Sequence, residues 1–191
     1  MLKIEHLDPQ VRRWLDWVVT TGSVLACLVL LWLRLPGMEL LGVSPNWMLI
    51  WVVCWSIKRS MLQGAIAGVC LGLIQDGLTY PSPTHAISLA IAGVLTARLQ
   101  KQKYIQEDFI SIALIAFGMA VVVETIMAIQ FSILFLTNQS PKTYLFLSDT
   151  WLYHQQVALS SAILSSLWAP VLYFPLNLWW ERIRGIDESQ L

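Results

Sequence analysis

Residues 63–83 read QGAIAGVCLGLIQDGLTYPSP, and the fold turns on how this stretch is read. Gly64, Gly68 and Gly72 stand four apart in an apolar run, the same step then lands on Asp76, and a proline-bracketed turn follows. A helix turns about 100° per residue, so a stripe repeating every four residues drifts only about 40° per step. Ala65 and Ala67 flank it. In lipid there is little hydrophobic force between helices, and association relies on close backbone approach at such small residues. Two uses of the stripe are open: an internal packing groove, or a seat for a partner protein's transmembrane helix.

Composition supports a membrane setting. The 191 residues are 57% hydrophobic and 13% charged, with ten tryptophans, values typical of membrane rather than soluble chains. No block of like charge suggests a nucleic-acid surface. Cys27, Cys54 and Cys70 lie in apolar runs without a C-x-x-C pair, and read as small buried hydrophobes.

A helix crosses a bilayer core of about 30 Å with roughly 20 apolar residues. That rule predicts an all-α integral membrane protein with six spans: 14–35, 43–57, 61–78, 85–99, 109–136 and 153–180. The second and fourth are short, the fifth is long enough to tilt, and Pro170 and Pro175 are expected to bend the sixth. Together they form one domain, 14–180, between an interfacial or cytoplasmic segment (1–13) and a cytoplasmic tail (181–191).

Charge tests the count independently. With the N-terminus inside, the inner loops receive Lys3, Arg12, Arg13, Lys58, Arg59, Arg98, Lys101, Lys103, Arg182 and Arg184, and the outer loops only Arg34 and Lys142. That bias follows the positive-inside rule loop by loop and places both termini in the cytoplasm. Trp14, Trp17, Trp55, Trp179 and Trp180 fall near inner boundaries, and Trp32, Trp47 and Trp151 near outer ones, where indoles favour headgroup depth. Trp51 and Trp168 lie deeper, as packing residues. The opening MLKIEHLDPQVRRWLDW (1–17) lacks a cleavable-signal pattern and reads as a lead-in to the first span, with Pro9 at its start.

Two acids, Asp76 and Glu124, lie deep in the spans. Asp76 lies about 22 Å beyond residue 61, and Glu124, in MAVVVETIMAIQ (119–130), about 22 Å beyond residue 109. Two carboxylates at one depth on parallel helices suit a shared polar pocket, with Arg34, His85, Gln130 and Lys142 as outer partners and Gln75 and Thr79 close by. Buried charges in a membrane face the bundle interior and find partners. One reading is a site for a cation, proton or polar ligand. The other is a hydrogen-bonded knot that orients the helices, with Asp76 capping the turn at DGLTYPSP. His85 and His154 read as cap or interface residues. No zinc spacing, H-E-x-x-H array, G-x-S-x-G elbow or phosphate loop occurs, so neither a catalytic constellation nor a metal or cofactor site is expected.

SPNWMLIWVVCW (44–55) followed by GAIAGVCLGLIQDGLT (64–79) resembles the bacterial rod shape-determining MreD family. The resemblance rests on Pro45, Gly68, Gly72, Leu73 and Asp76, on six spans and on minimal loops. It implies a bundle similar to the substrate-binding S components of energy-coupling-factor transporters. It further implies a non-enzymatic plasma-membrane scaffold of side-wall peptidoglycan synthesis. Its partners would be a single-span, coiled-coil MreC-like protein, MreB filaments, RodA and a class B penicillin-binding protein. The rival expectation is a transporter S component that captures a vitamin-like solute, against which stands the poverty of polar residues in the outer loops.

Overall fold

The computed structural model describes residues 8–33, 37–79, 83–101, 108–137 and 143–188. They form six helices: α1 (Pro9–Trp32), α2 (Trp47–Ser56), α3 (Met61–Leu78), α4 (His85–Lys101), α5 (Phe109–Thr137) and α6 (Thr143–Glu188). One isolated bridge pairs Leu40 with Val43, and the described residues contain no strand. Four helices, α1, α3, α5 and α6, are long and apolar enough to cross a membrane, whereas α2 and α4 are shorter apolar helices. The chain is thus a helical membrane protein. Lys3, Arg34, Lys103 and Lys142, which entered the charge pattern, lie outside the described residues.

Local chemistry sets the helix ends. Asp8 caps α1 by accepting from the Gln10 N–H at 3.2 Å, with Pro9 in the first turn, where its missing N–H costs nothing. Ser60 and Gln63 form a reciprocal capping box at the start of α3, the arrangement that satisfies two orphan donors at once. Between α1 and α2 the chain reverses through Gly37 (φ +89°), Leu41 (φ +55°) and Gly42 (φ +79°). Leu40 and Val43 close that turn with two backbone hydrogen bonds of 2.9 and 3.0 Å.

The second span departs most from expectation. Only ten residues of 43–57 are helical, a length of about 15 Å. Nearly all are buried, from Trp47 through Cys54, and α2 touches each of the other five helices. It is the axis of the bundle rather than a lipid-facing span. A helix apolar all round belongs in such a position. Trp47, expected near the outer boundary, is buried against Trp168 with ring centroids 5.7 Å apart. Trp180, expected near the inner boundary, is buried too. Trp51 lies deep, as expected, and donates its indole N–H to Ser23 Oγ of α1 at 2.8 Å.

Further polar ties from α2 and its flanking residues run to α6. Asn46 N–H donates to Ser165 Oγ at 3.3 Å, the Cys54 thiol to the Ala169 carbonyl at 3.6 Å, and Lys58 pairs with Glu181 at 2.5 Å. Helix α6 extends at both ends beyond the expected 153–180. Its first turns occupy part of the stretch read as an outer loop, and its last turns take in most of the expected tail. Pro170 and Pro175 lie within it without ending it. Cys27 and Cys54 are buried, but Cys70 is exposed on the outer side of α3, correcting its reading as a core residue.

Candidate functional site

The glycine stripe is an internal seam. Gly64, Gly68 and Gly72 lie against the backbone of α4, which contributes Gly93 in return. A Cβ on Gly64 would meet the Gly93 carbonyl oxygen at 2.5 Å. On Gly68 it would meet the Leu89 carbonyl carbon at 2.5 Å and Ala90 Cα at 2.6 Å, and on Gly72 the Ala86 nitrogen at 2.6 Å. Real Cβ atoms do not approach backbone so closely, so α3 and α4 touch at a distance only glycine permits. A partner's helix therefore has no access to the stripe, and the second use considered for it falls away.

Asp76 closes the seam at its far end. Its Oδ2 accepts from the Thr84 hydroxyl at 2.5 Å. Its Oδ1 accepts from the His85 backbone N–H at 2.8 Å and lies 2.7 Å from His85 Nδ1. Both carboxylate oxygens are engaged, and the acid on α3 caps the first turn of α4 across the connection. An anion beside the exposed N–H groups of a helix start is favoured by both hydrogen bonding and the helix dipole. Thr84 extends the knot. Its Oγ1 accepts from Ala86 N–H at 3.2 Å, and its carbonyl accepts from Gln130 Nε2 of α5 at 3.3 Å.

Glu124 is elsewhere. Its Oε2 lies 3.8 Å from His154 Nδ1 on α6, with both side chains largely buried. The Phe131 ring packs near that imidazole, with centroids 5.2 Å apart. Among the described residues no hydrogen bond or ion pair joins Asp76 to Glu124. The shared pocket expected for the two acids is thus replaced by two acid–histidine contacts, one within α3/α4 and one within α5/α6. The reason lies in helix offset. Gln130 reaches the Asp76 knot, so on α5 that level is six residues, about 9 Å, beyond Glu124. Counting from the helix starts assumed that both began at one depth. Arg34 and Lys142, named as partners, lie outside the described residues. Sequence reasoning missed the pairing of His154 with Glu124, and the only signal was a second histidine in an apolar helix.

Among the described residues no group of three His, Cys, Asp or Glu side chains could hold a metal ion. Open grooves among the described residues include three of note. One of about 480 Å³ is lined by Gln10, Arg13, Trp14 and Trp17. An apolar one of about 560 Å³ lies between α1 and Leu78 of α3. The third, about 270 Å³, lies beside the Asp76 knot along Pro83, Gln130 and Ile133. Comparison with family models, with curated proteins and with solved structures yields no match for this chain.

Proposed function

We propose that this protein is a non-enzymatic scaffold of the bacterial cell-elongation complex, an MreD-like plasma-membrane protein that binds an MreC-like single-span partner. One observation carries the reading: α1 crosses at the margin of the bundle with 6% of its apolar window buried, against 39% for each of the other three long helices. Buried acids elsewhere are engaged between helices of the chain itself, while α1 leaves most of a transmembrane surface unmatched. With the glycine seam taken by α4, the partner's helix runs along the outer half of α1, over the groove of Leu25, Leu28, Val29 and Trp32.

The same proposal includes six crossings with both termini in the cytoplasm. Helix α2 crosses together with the stretch before it. Helix α2 alone gives about 15 Å, half of one hydrocarbon thickness, and the non-helical residues 43–46 supply part of the remainder. Non-helical backbone is tolerated at membrane depth where protein covers it, and Asn46 N–H has Ser165 for a partner. If α2 and α4 did not cross, the remaining four spans would still leave both termini on one side.

The test is co-purification of the full chain with a coiled-coil, single-span protein encoded beside it. Leu25→Trp and Val29→Trp, at exposed positions, abolish capture, whereas Leu62→Trp, exposed on α3, does not. Depletion of the protein rounds rod-shaped cells. Normal shape on depletion together with no captured elongation protein overturns the proposal.

A further inference from the structure

Gln10, Arg13, Trp14 and Trp17 follow the spacing i, i+3, i+4, i+7, which places them on one helix face, and all four are exposed. Trp14 is 74% exposed and Trp17 71%. Arg12, one step round the helix, is buried on the side of the bundle. The outer face is concave, with a groove of about 480 Å³. Arg13 makes no hydrogen bond or ion pair with any described residue, including Asp16 one turn on. The groove does not depend on free helix-end N–H groups, because that of Gln10 is already donated to Asp8.

We infer that this face binds the phosphate of an anionic membrane phospholipid. Arg13 supplies a planar fork of donors that fits phosphate oxygens, the Gln10 amide adds a neutral donor, and the two indoles add N–H groups at the depth where headgroups meet acyl chains. Charge complementarity selects the anion, since the described residues that line the groove include a cation, Arg13, and no carboxylate. The length of the face selects a lipid over a free anion. Beyond Trp17 the exposed apolar surface continues through Val18 to Leu25, about 18 Å from Arg13. That matches the roughly 15 Å depth of one leaflet, so an acyl chain descends along the helix while its phosphate sits at Arg13. The inference does not rest on the partner proposed for the outer half of α1, which the lipid surface meets only at Leu25, and needs only a membrane-embedded chain.

The experiment titrates the full chain, purified in mild detergent, with phosphatidylglycerol, with phosphatidylcholine of the same acyl chains, and with inorganic phosphate. Bound species are resolved by native mass spectrometry. One phosphatidylglycerol binds more tightly than phosphatidylcholine, and Arg13→Gln removes about fivefold of that preference, the usual effect of one basic residue at an anionic surface. Arg13→Lys retains most of it, and Arg98→Gln on α4 leaves it unchanged. Trp17→Ala weakens both lipids alike. Equal binding of the two lipids by the unaltered chain, or an undiminished preference in Arg13→Gln, overturns the inference. So does full displacement of phosphatidylglycerol by inorganic phosphate, which marks a free-anion site. Should Arg13→Gln fail to fold, the comparison of lipids on the unaltered chain decides alone.

Discussion

Adding one methyl group at Gly68 tests the α3/α4 seam with a reversal of sign. At an open helical position, glycine to alanine stabilises by about 0.5–1 kcal/mol, because alanine loses less backbone freedom on folding. Gly118 of α5 is such a position, since an added Cβ there meets nothing within 4 Å. At Gly68 the same Cβ falls 2.5 Å from the Leu89 carbonyl carbon and 2.6 Å from Ala90 Cα, whereas ordinary contact begins near 3.4 Å. No side chain can rotate away, because the obstructing atoms are backbone. The helices must part by about 1 Å, which costs dispersion along the whole seam as well as local strain. Overpacking of this kind costs about 1–3 kcal/mol, enough to outweigh the alanine advantage. The assay is unfolding of the purified protein in detergent, by heat and by SDS titration. Gly68→Ala lowers the midpoint, and Gly118→Ala leaves it unchanged or raises it. Gly64→Ala and Gly93→Ala each press on the other's backbone, so together they cost less than the sum of the two. If Gly68→Ala proves as stable as Gly118→Ala, the close backbone contact is refuted.

Four further outcomes follow from the contacts. Asp76→Ala strips the cap from α4 and leaves Thr84 and His85 donors unmatched, at a cost of about 1–3 kcal/mol. Hydrogen exchange at the His85 and Ala86 amides accelerates before that of mid-helix amides, and Asp76→Asn, which retains one acceptor, is milder on both counts. A double-mutant cycle with Glu124→Gln and His154→Ala gives a coupling below about 1 kcal/mol, in keeping with polar pairs between membrane helices and with a separation of 3.8 Å. A larger value would mean a closer bond than the structure contains. Lys58→Ala costs less than about 1 kcal/mol, and the loss shrinks at high salt, because Glu181 is half-exposed. Finally, a maleimide leaves Cys27 and Cys54 of the detergent-purified protein unlabelled until the protein is unfolded.

Elements whose signals are local could be read from the chain. The edges of the third span coincide with α3 because a capping box at its start and the helix-breaking prolines of the sequence TYPSP at its end bound it. The start of α1 at Pro9 is likewise fixed by its neighbours, Asp8 and Gln10. The ends of α6 could not be read, because the helix outruns the apolar segment and hydropathy registers only the part suited to lipid. Span length also misrepresented α2. A run apolar on every side suits either lipid or a protein interior, and periodicity does not separate the two.

The candidate site divides in the same way. Three glycines at spacing four require close backbone approach wherever that sequence is helical, so the need for a seam is inherent in the sequence. The choice of α4 as neighbour depends on a complementary glycine, Gly93, meeting Gly64 in three dimensions. Likewise, a carboxylate in an apolar helix must find donors, and that requirement follows from the residue alone. Which donors it finds depends on helix offsets of a few ångströms. Those offsets bring Gln130 rather than Glu124 level with Asp76, and carry Glu124 to His154. Sequence determined the class of protein, the ends bounded by local caps, and the residues that needed partners. Tertiary structure assigned the partners, because hydrogen bonds and steric contact act over a few ångströms, and one turn of helix is longer than that.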